Sequence, residues 1–164
     1  MAFELPENLH PDCAPIAWLL GTWRGNGHGH YPTIDAFQFG QECIFTHDGR
    51  PFFHYMSRAW IVDDQGNKVR DAAIETGFLR PKATGELEVV MTHNTGFVEI
   101  WYGQAGEARV EIATDAVART ETAKEYNAGH RLYGLVEGDL LWAYDMAAMG
   151  QKLQPHLWGR LVRQ

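Results

Sequence analysis

The sequence predicts an all-β fold, either a sandwich or a closed up-and-down barrel. Short segments of strand composition follow one another with tight breakers between them, and one stretch near the start reads as helix. Aromatic residues make up 12% of the chain, with six Trp, which suits pleated, packed surfaces.

Residues 1–10 read as a loose N-terminal tail and 11–164 as one domain. Asp12 to Leu20 forms a short helix in this reading, with Asp12 as N-cap and Pro15 in the first turn. Its apolar residues Ile16, Trp18, Leu19 and Leu20 would close off an opening. Strands are expected near 21–30, 37–47, 51–62, 68–80, 86–93, 97–104, 107–117, 129–136, 139–145 and 156–163. His47-Asp48-Gly49, Asp63-Asp64-Gln65-Gly66-Asn67, Thr84-Gly85, Asn94-Thr95-Gly96, Gln104-Ala105-Gly106 and Glu137-Gly138-Asp139 separate them. The Ala-rich segment 116–127 fits helix, loop or strand alike.

The first expected strand is unusual. Gly25, Gly27 and Gly29 fall at every second position after Trp23, and Tyr31-Pro32 ends the run. Glycine weakens a strand, so repetition on one face calls for a close approach to the backbone there. The expectation is a bare inner face with room for a ligand. Neither G-x-G-x-x-G nor G-x-x-x-x-G-K-[ST] occurs, so the run does not read as a phosphate loop.

Composition excludes several function classes. The net charge of −7 argues against a nucleic-acid backbone and against an anionic membrane surface as partner. No apolar run reaches transmembrane length, and the N-terminus lacks the basic and apolar regions of a signal peptide, so a cytoplasmic location is expected. The two cysteines, Cys13 and Cys43, form no C-x-x-C or C-x-x-C-H and are expected to be free thiols. The one serine, Ser57, sits in Met56-Ser57-Arg58 rather than a nucleophile elbow, which disfavours a serine hydrolase.

Among eight histidines no zinc-type cluster occurs. His156 is singled out because Pro155 holds Gln154 extended and fixes the entry to the last strand. One neutral imidazole suffices to hold a haem iron from one side. Strand alternation places His156, Trp158 and Arg160 on one face and Leu157 and Leu161 on the other, and either face could be the inner one. Met146 and Met149 read as core filling or, for Met146, as pocket wall. His93 reads as a solvated hairpin residue ahead of a pocket role, and Lys124, His130 and Arg131 as members of solvated charged faces ahead of partners for a ligand's carboxylates.

The motif Gly21-x-Trp23-x-Gly25-x-Gly27-x-Gly29-x-Tyr31-Pro32-Thr33-Ile34, together with Leu153-Gln154-Pro155-His156, strongly resembles the nitrobindin family, in particular its short bacterial single-domain members. Gly40-Gln41-Glu42, Glu75-Thr76-Gly77-Phe78, Asn94-Thr95-Gly96-Phe97-Val98-Glu99 and Ala123-Lys124-Glu125 extend the similarity from about Leu20 to the C-terminus. The resemblance implies a ten-stranded antiparallel β-barrel like that of fatty-acid-binding proteins. It implies one heme b per chain, Fe(III), near the barrel mouth, with His156 as axial ligand. Thr33, Met146 and Lys124 match cofactor contacts, and Gly21, Trp23, Gly25 and Gly27 belong to the opening motif. The implied activity is reversible nitric oxide binding and isomerisation of peroxynitrite to nitrate. The alternative is a non-enzymatic carrier of haem, a fatty acid or another apolar small molecule. A homodimer is left open. Ala72-Ala73 stands where some relatives have Met-His, and His93 where relatives can have Gln, so the distal side is expected to be roomier and differently polar.

Overall fold

In the computed structural model, which describes residues 3–164, ten antiparallel strands close on themselves. They are β1 (Gly21–Tyr31), β2 (Ile34–Thr46), β3 (Phe53–Val62), β4 (Lys68–Pro81), β5 (Glu86–His93), β6 (Phe97–Gly106), β7 (Arg109–Arg119), β8 (Tyr126–Val136), β9 (Asp139–Ala148) and β10 (Gln154–Arg163). Each pairs with its sequence neighbours, and β1 pairs with β10, so no edge strand is left among the described residues. Barrel and sandwich, both open from the sequence, are thus resolved in favour of the barrel.

The turns follow local chemistry. At Glu137-Gly138 both residues have positive φ (53° and 85°), the geometry of a two-residue hairpin whose twist matches the flanking strands. Pro32-Thr33 makes an equally short connection, so β2 already starts at Ile34, earlier than its composition indicates. Segment 116–127 divides: β7 runs to Arg119 and β8 starts at Tyr126, with the Thr120 N–H bonded to the Gly96 carbonyl between them at 2.8 Å.

One end of the barrel is plugged. The helix Pro11–Leu19 is 3₁₀ rather than α; Pro15 lacks the N–H that an α-helix would bond to the Pro11 carbonyl, whereas Pro11 sits at the first position, where no N–H is needed. Its N-cap is His10, whose Nδ1 accepts the Asp12 N–H at 3.1 Å, and not Asp12. The last carbonyls of the helix are satisfied from the barrel wall: the Trp23 indole donates to Leu19 at 2.8 Å, and the Arg163 guanidinium donates to Trp18 at 2.7 Å and to Leu20. Cys13, Ile16, Ala17 and Leu19 are buried against the strands. Above this plug lies an apolar void of about 20 Å³ between Leu19, Phe45, Tyr55, Leu79 and their neighbours. It has room for about one water molecule.

The middle of the barrel is polar. Arg131 is buried and donates to Glu75 at 2.7 Å and to the Tyr133 hydroxyl at 3.2 Å. Gln41 donates to Ser57 and accepts from the Trp142 indole, both at 2.9 Å. The upper end, formed by the starts of the even strands and the ends of the odd ones, carries His156.

Candidate functional site

His156 owes its direction to a β-bulge. Pro155 pairs with Asp145 and Leu157 with Tyr144, so His156 is the extra residue between them. Leu161, Gly159 and Leu157 face the barrel side and Trp158 and Arg160 face solvent, which settles the alternation. Simple alternation would have turned His156 outwards with Trp158. The bulge instead sets its ring against Tyr31, Tyr144 and Phe37, with centroids 5.3, 5.8 and 6.4 Å away, each in edge-on geometry.

The ring is fixed through one nitrogen. His156 Nδ1 lies 3.0 Å from the His30 carbonyl oxygen, which can only accept, so Nδ1 carries the proton and donates. Nε2 is left with its lone pair. Burial pushes the imidazole below its ordinary 6.5, and the charge of Arg131 adds to this, so the ring is held neutral. Tyr31 braces the wall: its hydroxyl donates to the Met146 carbonyl at 2.9 Å and accepts the Ala148 N–H at 3.0 Å. Met146 itself is half-buried and packs on the core.

The opening glycines do not leave empty space. A Cβ on Gly27 would meet the Phe39 ring and the Trp158 carbonyl, and one on Gly29 would meet the Phe37 ring. One on Gly25 would meet the Arg160 carbonyl of β10. The bare face is therefore filled, by two aromatic rings and a neighbouring backbone, and its effect at the mouth is indirect: Gly29 leaves room for the Phe37 ring, which meets His156 edge-on.

The structure brings part of the expected set together. His156 and Met146 face the same mouth, and Thr33 lies exposed in the turn that follows Tyr31 on that rim. Lys124 is exposed in the connection between β7 and β8, also at the upper end. Gly21 and Trp23 lie at the other end, where Trp23 holds the plug. Ala72 and Ala73 sit at an irregularity of the β3–β4 pairing, between Ile74 and Asp71. Apolar Ile34, Met149 and Leu153 remain more than two-fifths exposed around the rim. His130 is solvated and pairs with Glu111 at 3.0 Å, as expected.

Two expectations are corrected. Arg131 is not on a solvated face but inside, its guanidinium over the Trp101 and Tyr144 rings at 5.2 and 4.5 Å, with Glu75 to neutralise it. His93 is not a solvated hairpin residue. Its side chain is 8% exposed, bonded through Nε2 to Glu99 and stacked on Phe97 at 4.0 Å. Glu99, completely enclosed, also accepts the Tyr126 hydroxyl at 2.5 Å. Neither carboxylate was singled out from the sequence. The available signal was phase: Glu75 alternates with Gly77 and Leu79, and Glu99 with Trp101, all inward-facing.

The mouth therefore offers one neutral imidazole with a free Nε2, aromatic walls and an apolar rim. That donor set fits a flat, apolar, iron-bearing macrocycle held from one side. The family described as "THAP4-like, heme-binding beta-barrel domain" matches residues 12–163. The chain belongs to this haem-binding nitrobindin family. A Nocardioides protein named peroxynitrite isomerase is 71% identical over 164 residues, covering the whole of both chains. A Streptomyces griseus protein named ferric nitrobindin-like protein is 42% identical over 98% of this chain and 85% of its own. The crystal structure of Rv2717c from M. tuberculosis superposes with a TM-score of 0.86 at 35% identity, over 95% of this chain and 99% of that one. The shared fold is the closed barrel.

Proposed function

We propose that this nitrobindin binds one b-type haem through His156 Nε2, isomerises peroxynitrite to nitrate and binds nitric oxide reversibly. The observation that carries this reading is the Nδ1–His30 bond, which leaves a neutral imidazole with its coordinating nitrogen free at the barrel mouth. The name of the 71% identical relative supports the reaction.

A bound ferric haem supplies the Lewis-acid and redox chemistry that converts the O–O bond of peroxynitrite into the N–O bond of nitrate. The chain's own residues hold and shield it. His156 would hold the iron through Nε2, and the carbonyl of His30 keeps the proton on Nδ1. Tyr31, Tyr144, Phe37 and Met146 wall the site and exclude water from the imidazole. Thr33 and Lys124, exposed on the rim, would meet the polar edge, Lys124 as a cation for a propionate. With no C-x-x-C-H in the sequence, attachment is non-covalent.

A carrier of fatty acids is the weaker reading. The lumen that would hold an alkyl chain is occupied by Trp23, Phe45, Tyr55, Trp101 and the Arg131–Glu75 pair. The test is stopped-flow decay of peroxynitrite with the hemin-loaded protein, reading nitrate yield. Faster decay with nitrate as the main product is expected; decay at the rate of buffer alone would overturn the activity.

A further inference from the structure

The outer face of the barrel carries an uncharged band across neighbouring strands. Inward residues such as Tyr55, Leu79, Val89 and Trp101 are buried, so their sequence neighbours point to solvent. The pairing register aligns those outward positions in rows. One row runs Thr46, His54, Phe78, Val90, Ile100, Ala116 from β2 to β7, each residue opposite the next. The adjoining row runs Ile44, Met56, Thr76, Thr92, Val98, Ala118. Neither row holds an Asp, Glu, Lys or Arg, although these make up 21% of the chain. The rows to either side are charged and ion-paired. Arg58 meets Glu42 at 2.8 Å on the mouth side, and Arg80 meets Glu88 at 3.1 Å on the plug side. An apolar centre with a polar rim is the anatomy of a protein interface.

The polar groups of the band are largely spent on the sheet itself. The Thr76 hydroxyl donates to the Tyr55 carbonyl at 2.8 Å and accepts from His54 Nε2 at 3.0 Å. The Thr92 hydroxyl donates to the Thr76 carbonyl at 3.1 Å. Covering the band strands none of these donors. Met56, Phe78, Val90, Val98 and Ile100 are each between 37% and 45% exposed. With the small residues between them they present on the order of 500 Å² of surface. A standard interface takes about 800 Å² from each partner. The band supplies the centre of one, and Ile74, Tyr102 and the ion-paired rows supply its edge.

Charge decides what covers it. The net charge of −7 makes two copies repel, least where charge is absent, and the band is such a place. A lipid surface would call for free cations around the apolar centre, whereas Arg58 and Arg80 are already paired with Glu42 and Glu88. A two-fold axis through the band sets the same apolar rows against each other, which leaves no unpaired charge in the contact. We propose that the band centred on Phe78, Val90 and Ile100 is the face through which two copies of this chain form a homodimer. The proposal does not depend on the haem reading.

Sedimentation equilibrium of the wild type and of Val90→Glu tests it. The wild type is expected at twice the 18.6 kDa chain mass at micromolar concentration. Val90→Glu sets a charge from each copy into the contact. It is expected to weaken association by about a hundredfold or more, with an unchanged far-UV circular dichroism spectrum. Thr92→Lys, a change at an exposed position of the same band, is read in the same way should Val90→Glu fold poorly. Val162→Glu, on the outer face of β10 away from the band, is expected to leave the dimer intact. A wild type that stays at the chain mass up to on the order of 100 μM would overturn the proposal. So would a dimer that survives in whichever of Val90→Glu and Thr92→Lys is folded, or one lost in Val162→Glu alone. Flotation of the wild type with neutral phosphatidylcholine vesicles, lost in Val90→Glu, would assign the band to a lipid surface and overturn it as well.

Discussion

His156 on β10 donates its Nδ1 proton to the carbonyl of His30 on β1 at 3.0 Å, across the seam where the barrel closes. The bond that aims the imidazole is thus made by barrel closure itself. The β-bulge between Pro155 and Leu157 brings the ring to that carbonyl, and burial among Tyr31, Phe37 and Tyr144 keeps it neutral.

That neutrality has a pH signature. The folded-state value of His156 lies below its ordinary 6.5, so the unfolded chain takes up this proton more readily. Its contribution is present above 6.5 and is lost as pH falls through the folded value, the same direction in which protonation of Nε2 competes with a metal. An NMR titration of the haem-free protein should place the His156 midpoint below 6.5. A midpoint at or above 6.5 contradicts the account.

Gly27 should not tolerate a side chain. Its added Cβ would press on the Phe39 ring and the Trp158 carbonyl, and the carbonyl belongs to a paired strand that cannot move alone. Gly27→Ala is expected to lose about 1–3 kcal/mol, as overpacking does, in urea unfolding. An unchanged midpoint would show that β10 is free to give way.

The Arg131–Glu75 pair is an ion pair buried in the interior. Removing one partner leaves the other charge uncompensated in a buried site, a loss of about 3–5 kcal/mol. Arg131→Met should therefore unfold at much lower denaturant than wild type, and the double variant Arg131→Met/Glu75→Gln should recover a large part of the loss. A double variant no better than the single one would show that the pair's charges are not coupled.

Tyr31→Phe removes the hydroxyl that bridges β1 to the upper end of β9. The Ala148 N–H loses its acceptor, and a loss of about 1–3 kcal/mol is expected. Hydrogen exchange at Ala148 should accelerate relative to the lower part of β9. Uniform exchange along the strand would contradict a local bracing role.

The strands were legible because breakers are local signals, whereas closure into a barrel rather than a sandwich was given only by the resemblance. Glu137-Gly138 and Thr84-Gly85 mark their turns without tertiary knowledge. The resemblance pointed to His156, whereas its direction was hidden, since a bulge reverses alternation and depends on how β10 registers with β9. The glycine run was read with the right reason, close approach, and the wrong occupant: Phe37 and Phe39 come from the next strand. Arg131 and His93 were misjudged because a charged residue reads as solvated unless its partner is known. Those partners, Glu75 and Glu99, lie 56 and 6 positions away.

The central claim is that the His156 imidazole is what grips the iron. Hemin titration followed at the Soret band, wild type beside His156→Ala, tests it most directly, with circular dichroism to confirm that the variant keeps its barrel. A saturating one-to-one Soret transition in the wild type and its loss in the folded variant is the predicted result. A folded His156→Ala protein that takes up hemin with the wild-type spectrum and affinity would contradict it.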